Sequence, residues 1–460
     1  MEVRTPSEAR SDVSVAAGTA AVAALLCGAL VVPALLIPAY AGLLAASVLA
    51  ASTGIAFRMI LSTLLSVGDP APEPPSLPAD PPTVSVVVTA YNEADALEGT
   101  VASCLRQSYP TDRLEVVVGY EAASDDGTAD VAERIAARNR RVAAVRREVS
   151  PGGKAAAVNH ALPRAEGDVI ASVDAGQRFE PTAVRRAVRR LLEGDDVWCV
   201  KGRCFGTNAA ASLVALHATV ERHLIERTEF VARDVAGGFT LFTGGQAFFR
   251  REALSALGGF DETVLLEDLD AASRIHARGK RIRVDPTVVS AERNPETLAA
   301  WWSQRKRWVR GGMQVARRHL RRLSDDPNLS PIVRLDALYT FCVVLTLPIL
   351  LLASPVATLS ALGVGPPFPG AALSTAAAAV SSTFALPYAV FLQDELAGRA
   401  HDPREYVAPL TLPAYLALQA AVVVAAFVDE FVRRRPAVYV TSSEASSRGG
   451  AGERSDEDRE

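Results

Sequence analysis

Lysine is almost missing from this chain. Its 460 residues include only four, at positions 154, 201, 280 and 306, and arginine carries nearly all the positive charge. The formal net charge is only −4, and no nucleic-acid partner is expected. Cysteine is equally sparse. The five, at 27, 104, 199, 204 and 342, have no paired metal-binding spacing, and Cys199 and Cys204 read as packed or surface thiols in a reducing compartment.

Charge itself is missing from Val13 to Val67, where Arg58 is the only charged side chain. That run is about twice the length one helix needs to cross a hydrocarbon core of roughly 30 Å. Pro33, Pro38 and Tyr40 divide it into two expected helices, near Val15–Ile37 and Gly42–Leu65. A secretory signal peptide has a shorter apolar core followed by a cleavage site, so this run is too long to be one. Apolar character returns after residue 334, with expected spans at Leu335–Leu362, Ala371–Leu392 and Tyr406–Phe431. No ionisable residue lies deep in these three; Asp394 and Asp429 sit near their ends, which argues against a transporter.

Arginine is dense from Arg305 to Arg334, so the positive-inside rule puts that segment, the central domain and the N-terminus in the cytosol. The tail is in conflict. Three C-terminal spans would export it, whereas Arg433, Arg434 and Arg435 favour keeping it inside. One of these segments could instead be interfacial or re-entrant, and the sequence leaves the count open.

The chain divides into a membrane hairpin (1–68), a linker (69–83), a central domain (84–334), C-terminal membrane helices (335–432) and a polar tail (433–460) expected to be disordered. Seven prolines between Asp69 and Pro82 make the linker stiff. In the central domain, Val84–Val88, Leu114–Val118 and Val169–Val173 are apolar runs of the kind buried on both faces of a parallel sheet. Helical patterns over Ala94–Gln107 and from Thr128 through Ala137 lie between the first two strands and after the second. This βαβαβ order predicts a doubly wound α/β sheet that binds its ligand at the carboxyl ends of its strands. Tyr91, Asn92, Glu93, Glu121 and Asp174 fall at such ends. Further on, Glu267-Asp268 is followed by Gln304-Arg305-Lys306-Arg307-Trp308. A carboxylate pair followed by a basic-aromatic cluster at the mouth of a membrane domain points to chemistry on an anionic donor near the bilayer.

Taken in order, Thr89-Ala90-Tyr91-Asn92-Glu93, Ser124-Asp125-Asp126-Gly127-Thr128, Gly152-Gly153-Lys154, Val173-Asp174-Ala175-Gly176, Thr243-Gly244-Gly245-Gln246, Glu267-Asp268 and Gln304 to Trp308 resemble the family 2 glycosyltransferases. The resemblance is to the membrane-embedded branch that includes cellulose, hyaluronan and glycolipid synthases, and it covers roughly Val84–Gly312. It implies a GT-A-like fold flanked by transmembrane helices, and transfer from a nucleotide sugar to a glycan or lipid acceptor with inversion.

The resemblance also implies roles for individual residues. Tyr91, Glu93 and Glu121 would line the nucleotide pocket, with Glu121 standing where the family usually has an aspartate. Lys154 would meet the diphosphate as a point charge. Asp174 would hold a divalent cation, Mg²⁺ or Mn²⁺; the family's second aspartate is replaced by Gly176. Asp268, oriented by Glu267, would be the general base, since inverting transfer needs one carboxylate at the acceptor hydroxyl. Gln304 and Arg307 would bind the diphosphate, and Gly245, Gln246 and Trp308 the acceptor. Gln304, Arg307 and Trp308 share one helical face. Phe248 to Arg251 is expected to open a helix, and Asp126 and Asp270 are equally well read as helix-start acids. A rival reading keeps the fold without the activity: a catalytically degenerate membrane protein that binds nucleotide sugars or serves as a partner in a glycan-assembly complex.

Overall fold

The computed structural model describes residues 6–67, 76–149, 152–364 and 370–435. Residues 69–75 of the proline-rich linker and the tail beyond 435 lie outside the described residues.

The central domain is built on one eight-stranded sheet in the order β3-β2-β1-β4-β7-β6-β8-β5. The strands are β1 (Val84–Ala90), β2 (Leu114–Glu121), β3 (Val142–Arg147), β4 (Val169–Asp174), β5 (Arg178–Phe179), β6 (Val197–Gly206), β7 (Ala247–Arg250) and β8 (Arg281–Glu292). β1 runs parallel to both β2 and β4, in register Val84 to Leu114 and Val84 to Val169. Successive valines in β1 face opposite layers, as the two-residue strand period requires. Val86 and Val88 pack with Leu97, Val101, Val184 and Val188 on one side. Val87 packs with Val158, Leu254 and Ile275 on the other. The apolar stretch Val86–Val88 is therefore sandwiched between helices. Ile170 of β4 is 1% exposed, and Ile170→Ala would cost about 2–5 kcal/mol from lost transfer energy and the cavity left behind.

One local expectation fails. Phe248 and Phe249 do not open a helix; they belong to β7, which pairs antiparallel with β4 and β6 near the middle of the sheet. The helix begins only at Arg251. Phe248 stacks on Phe179 at 5.4 Å in one layer, while Phe249 meets Phe242 at 5.1 Å and Phe260 at 5.8 Å in the other. Adjacent bulky rings buried on opposite faces need a strand, and tertiary packing overrides the local pattern.

Five helices among the described residues are long and apolar enough to cross a membrane: Ala16–Leu36, Pro38–Leu65, Pro331–Ala361, Ala372–Leu396 and Ala408–Val432. Arg58, the lone charge of the N-terminal run, pairs with Asp336 on the third of these at 3.1 Å, and Arg233 of the central domain meets the same carboxylate at 3.1 Å. Asp394 and Asp429, near the ends of the last two, are also anchored by arginine or lysine from the central domain. Asp394 binds Arg203 and Arg227, and Asp429 binds Lys306 at 2.6 Å. Removing one partner of a buried pair like these strands the other charge. Cys104, Cys199 and Cys204 are buried free thiols, and Cys27 and Cys342 are free and partly buried.

Candidate active site

The carboxyl ends of β1, β2 and β4 lie side by side and form one wall of a cleft, and the helices Glu267–His276 and Leu298–Ser324 bring Glu267, Asp268 and Arg307 within electrostatic reach of Lys154. Thr89 of β1 stands beside Asp174 of β4, and Ala90 beside Tyr120 of β2. Strand register alone thus brings Tyr91–Glu93, Glu121 and Asp174 together.

Asn92 turns the chain out of β1 in a left-handed conformation, φ +54°. Its Oδ1 accepts from the Asp125 N–H at 3.0 Å, which pins the loop to the neighbouring one. The Asp126 carboxylate accepts from the N–H groups of Ala94 and Thr128, both at 2.9 Å. Against the opposing effect of burial, these bonds and the one from the Thr128 hydroxyl hold it below the usual carboxylate range. Asp126 thereby clips two helix starts together. Glu93 is the opposite case. Burial first, and then the charges of Asp174, Asp126 and Glu292, push it up to about 8. At neutral pH it is mostly protonated and can donate as well as accept.

Glu121 is buried, and both of its oxygens accept from Arg147 Nη1, at 3.1 and 2.9 Å. Its carboxylate stands at the carboxyl end of β2 already paired with a guanidinium. Arg147, at the end of β3, went unremarked in the sequence because that strand carries no strong apolar signal.

Lys154, at the start of the helix Gly153–Ala161, forms an ion pair with Asp174 and donates to the Gly244 carbonyl. The Ser172 hydroxyl donates to that same carbonyl at 3.2 Å. Asp174 is followed by a tight turn in which the Gln177 N–H donates to the Asp174 carbonyl at 3.0 Å. Gly176, third in that turn, has φ +95°, the conformation for which glycine is preferred at this turn position.

Gln177 then reaches beneath the cleft floor to Glu292 at 2.5 Å and Gln246 at 3.3 Å. Gly245 lies so close above it that a Cβ would run into the Gln177 side chain. Gln246 is 1% exposed with φ +49°, and its Oε1 accepts from Ser290 at 3.0 Å. The Gly245-Gln246 step thus shapes the floor, and the Gln246 side chain points into the protein.

Glu267 and Asp268 form the first turn of the helix Glu267–His276, and Asp268 Oδ1 accepts from the Leu269 N–H at 2.7 Å. Burial is the main cause raising both carboxyls. The Asp268 charge adds to the rise at Glu267, and the Asp174 charge to that at Asp268, while Lys154 and Arg307 pull both down. Lys154, Asp174, Glu267, Asp268 and Arg307 are therefore one electrostatic cluster assembled from four separate segments.

On the helix Leu298–Ser324, Gln304 Oε1 accepts from Arg305 at 2.6 Å, and the Arg305 guanidinium lies 4.3 Å from the Trp308 ring centroid and pairs with Glu221 at 2.5 Å. Arg305 thus buttresses both Gln304 and Trp308. The register between this helix and Glu267-Asp268 comes from residues whose spacing gave no signal. A Cβ at Gly311 would stand 3.0 Å from the Leu266 nitrogen. Gln314 Oε1 accepts from the Leu265 N–H at 3.3 Å, and His319 lies 2.7 Å from Asp270. Asp270, also paired with Arg274 at 2.6 Å, is a brace between helices.

The Asp174 charge raises both Glu93 and Asp268. A divalent cation relieves that repulsion, so the donor set fits one held by Asp174 with water and phosphate oxygens, the usual habit of Mg²⁺.

Residues 81–311 match the family model described as "Glycosyltransferase like family 2", half of the chain. The chain belongs to that family. The Probable glycosyltransferase YdaM of Bacillus subtilis (strain 168) is 30% identical to it over 241 residues, 52% of this chain and 57% of that protein. The Beta-monoglucosyldiacylglycerol synthase of Synechocystis sp. (strain ATCC 27184 / PCC 6803 / Kazusa) is 28% identical over 264 residues, 53% of this chain and 52% of that protein. The match spans about half the length of these curated relatives. Among solved structures, the mannosyltransferase PcManGT from Pyrobaculum calidifontis, in complex with GDP-Man and Mn²⁺, superposes with a TM-score of 0.57 at 25% identity. That match covers 85% of this chain and all of PcManGT. The fold of this family 2 chain is accordingly GT-A-like, with apolar helices flanking the domain.

Proposed function

We propose that this chain is a membrane-bound, inverting glycosyltransferase that transfers a sugar from a nucleotide-sugar donor to a glycan or lipid acceptor, with its catalytic domain in the cytosol. The observation that carries the reading is the cluster around Asp268: a half-buried, proton-hungry carboxylate flanked by Lys154 and Arg307, with Asp174 across the cleft. The GDP-Man and Mn²⁺ bound by PcManGT and the glycolipid product in the name of the Synechocystis relative support the donor, cation and acceptor classes.

The donor diphosphate lies between Lys154 and Arg307, whose charges offset what develops on the leaving group. A divalent cation, Mg²⁺ or Mn²⁺, held by Asp174 supplies further charge neutralisation there. Glu93, protonated at neutral pH, meets the anionic nucleotide without adding a like charge. Tyr91 flanks the base, and Glu121 acts through Arg147. Asp268 takes the proton of the acceptor hydroxyl as that oxygen bonds to the anomeric carbon and the bond from that carbon to the diphosphate breaks. The proton ends on Asp268. A carboxyl raised above its usual range is a better base than an exposed aspartate. Glu267 holds the electrostatic balance between Lys154 and Asp268. Trp308, stiffened by Arg305, offers a flat face to a sugar.

The non-catalytic alternative rests on Gly176, which leaves Asp174 as the only carboxylate in its turn. One assay separates the two. Membranes holding the full chain are incubated with a panel of radiolabelled nucleotide sugars, with and without Mn²⁺, and extracted with organic solvent. Release of nucleoside diphosphate with label in a product supports transfer, and the phase that holds the label identifies a lipid or a polymer acceptor. Binding without release across the whole panel would sink the enzyme reading in favour of the alternative.

A further inference from the structure

Ala408–Val432 is long and apolar enough to cross a membrane, yet both of its ends rest on the catalytic domain. At its start, Thr411 lies 3.0 Å from His217, and the Tyr415 hydroxyl donates to Glu221 at 2.5 Å and accepts from Trp301 Nε1 at 2.9 Å. At its end, Glu430 accepts from Gln314 at 3.1 Å and pairs with Arg310 at 3.2 Å, Asp429 pairs with Lys306 at 2.6 Å, and the Arg435 carbonyl accepts from Arg310 at 2.7 Å.

The order of these contacts gives the direction. Trp301 meets Tyr415, Val309 packs in the same cluster as Val422, Gln314 meets Glu430, and Arg317 sits over Phe431. The numberings rise together from Trp301 with Tyr415 to Arg317 with Phe431, with the long Lys306 side chain reaching ahead to Asp429, so the segment runs parallel to and alongside the helix Leu298–Ser324. That partner carries Arg305, Lys306, Arg307, Arg310, Arg317, Arg318, Arg321 and Arg322. Such a charge density does not enter hydrocarbon. Pro331–Ala361 meets this helix through Ala337, Phe341 and Val344 of its first half and then continues beyond it, whereas Ala408–Val432 is held to it at both ends and so cannot cross the hydrocarbon while that helix stays outside.

The segment presents two faces. Leu412, Tyr415, Val422 and Ala426 are buried, at the three-, seven- and four-residue steps of one helix stripe. Leu410, Leu416, Leu418 and Ala421 are exposed on other faces, and no charged residue lies between Ala408 and Val428. A solvent-facing surface of that composition would be unfavourable by roughly 25 cal/mol per Å² of apolar area.

We infer that Ala408–Val432 is an in-plane helix whose outer face binds the acyl region of the leaflet on the catalytic side, leaving four membrane crossings. This accounts for the tail. Asp394, at the end of the preceding candidate span, binds Arg203 of the sheet, so that span returns to the catalytic face. The chain then stays on that face to Arg435. It also sets the depth of the catalytic helix, because Arg307 and Trp308 ride on the element the in-plane helix supports. The inference rests on the membrane reading of the apolar helices and holds whether or not transfer occurs.

Two measurements on the full chain in sealed vesicles test it. Arg404→Cys and Arg434→Cys, both exposed positions, are labelled with a membrane-impermeant maleimide beside Arg293→Cys, a catalytic-domain reference whose side chain is 72% exposed. Labelling of all three in the same vesicle orientation is expected. Labelling of 404 and 434 from opposite faces overturns the inference. Protease sites inserted after Asp402 and Arg435 give the same reading without depending on thiol reactivity. Spin labels at Leu410 and Ala421 then report depth. An in-plane helix holds both at nearly one depth, whereas a crossing helix separates them by roughly 16 Å at 1.5 Å per residue. A separation of that size also overturns it.

Discussion

Lys154 and Asp174 are ion-paired across the floor of the cleft, and the lysine also donates to the Gly244 carbonyl. Before donor arrives, the ammonium competes with any cation for the Asp174 carboxylate. Once a diphosphate is present, the same charge serves the leaving group. Lys154→Met should therefore move two quantities in opposite directions. Mn²⁺ should bind the donor-free protein more tightly in a titration, while kcat/KM falls by about 10- to 100-fold, the range of one lost charge-assisted contact. Unchanged kcat/KM would remove Lys154 from the donor site.

Asp268→Asn should lower kcat by about 10²–10⁴, the usual contribution of a positioned base, with donor affinity within about threefold of wild type. The pH profile carries the same information. Asp268 must be ionised to act, and burial together with Asp174 raises it. Activity is therefore expected to fall with acidification at a higher pH than an ordinary aspartate would give. An acid limb at the value of an exposed carboxylate would contradict the cluster.

Glu93 makes a stability prediction with a definite sign. Its folded-state value near 8, against 4.5 for the model carboxyl, means the folded protein keeps a proton that the unfolded chain releases. Raising pH through that window favours unfolding. Glu93→Gln removes the effect, so its melting temperature should exceed that of wild type at pH 8, with the gap closing towards pH 5. Thermal scans at the two pH values check it; a constant gap would mean Glu93 is not the titrating group.

Gly176→Asp recreates the carboxylate pattern of the wider family but should not improve activity. Position 176 has room, with the Ala96 Cβ at 4.0 Å as the nearest neighbour, but φ +95° costs an L-residue about 1–2 kcal/mol. Denaturant unfolding should register that loss, and Mn²⁺ affinity should rise by less than tenfold. A large gain in both affinity and turnover would mean that the turn re-forms around aspartate.

The strand ends were legible because a β-branched run broken by polar residues marks where a buried strand meets solvent. Tyr91, Glu93, Glu121 and Asp174 were located that way, and the order of the motifs supplied Lys154, Glu267-Asp268 and the Gln304–Trp308 helix. The Phe248-Phe249 strand was not legible, because two adjacent large apolar residues fit a strand or a helix until both layers around them are known. Arg147 over Glu121, Gln177 beneath Gly245, and Gly311 against Leu266 were equally hidden. Each is a contact between segments far apart in sequence, set by close approach and hydrogen-bond geometry rather than by any period.

Composition and hydrophobic period by themselves determined that the chain has an α/β domain with parallel strands β1, β2 and β4 between apolar helices and that acids and bases gather at those strand ends. Those properties follow from local burial, which each segment encodes alone. Which groups share a charge cluster, which way Gln246 points and which surface Ala408–Val432 rests on were decided only by tertiary structure. An ionisable group's neighbours and a helix's resting surface depend on how distant segments pack, and an apolar helix reads the same in sequence whether it crosses a membrane or lies along it.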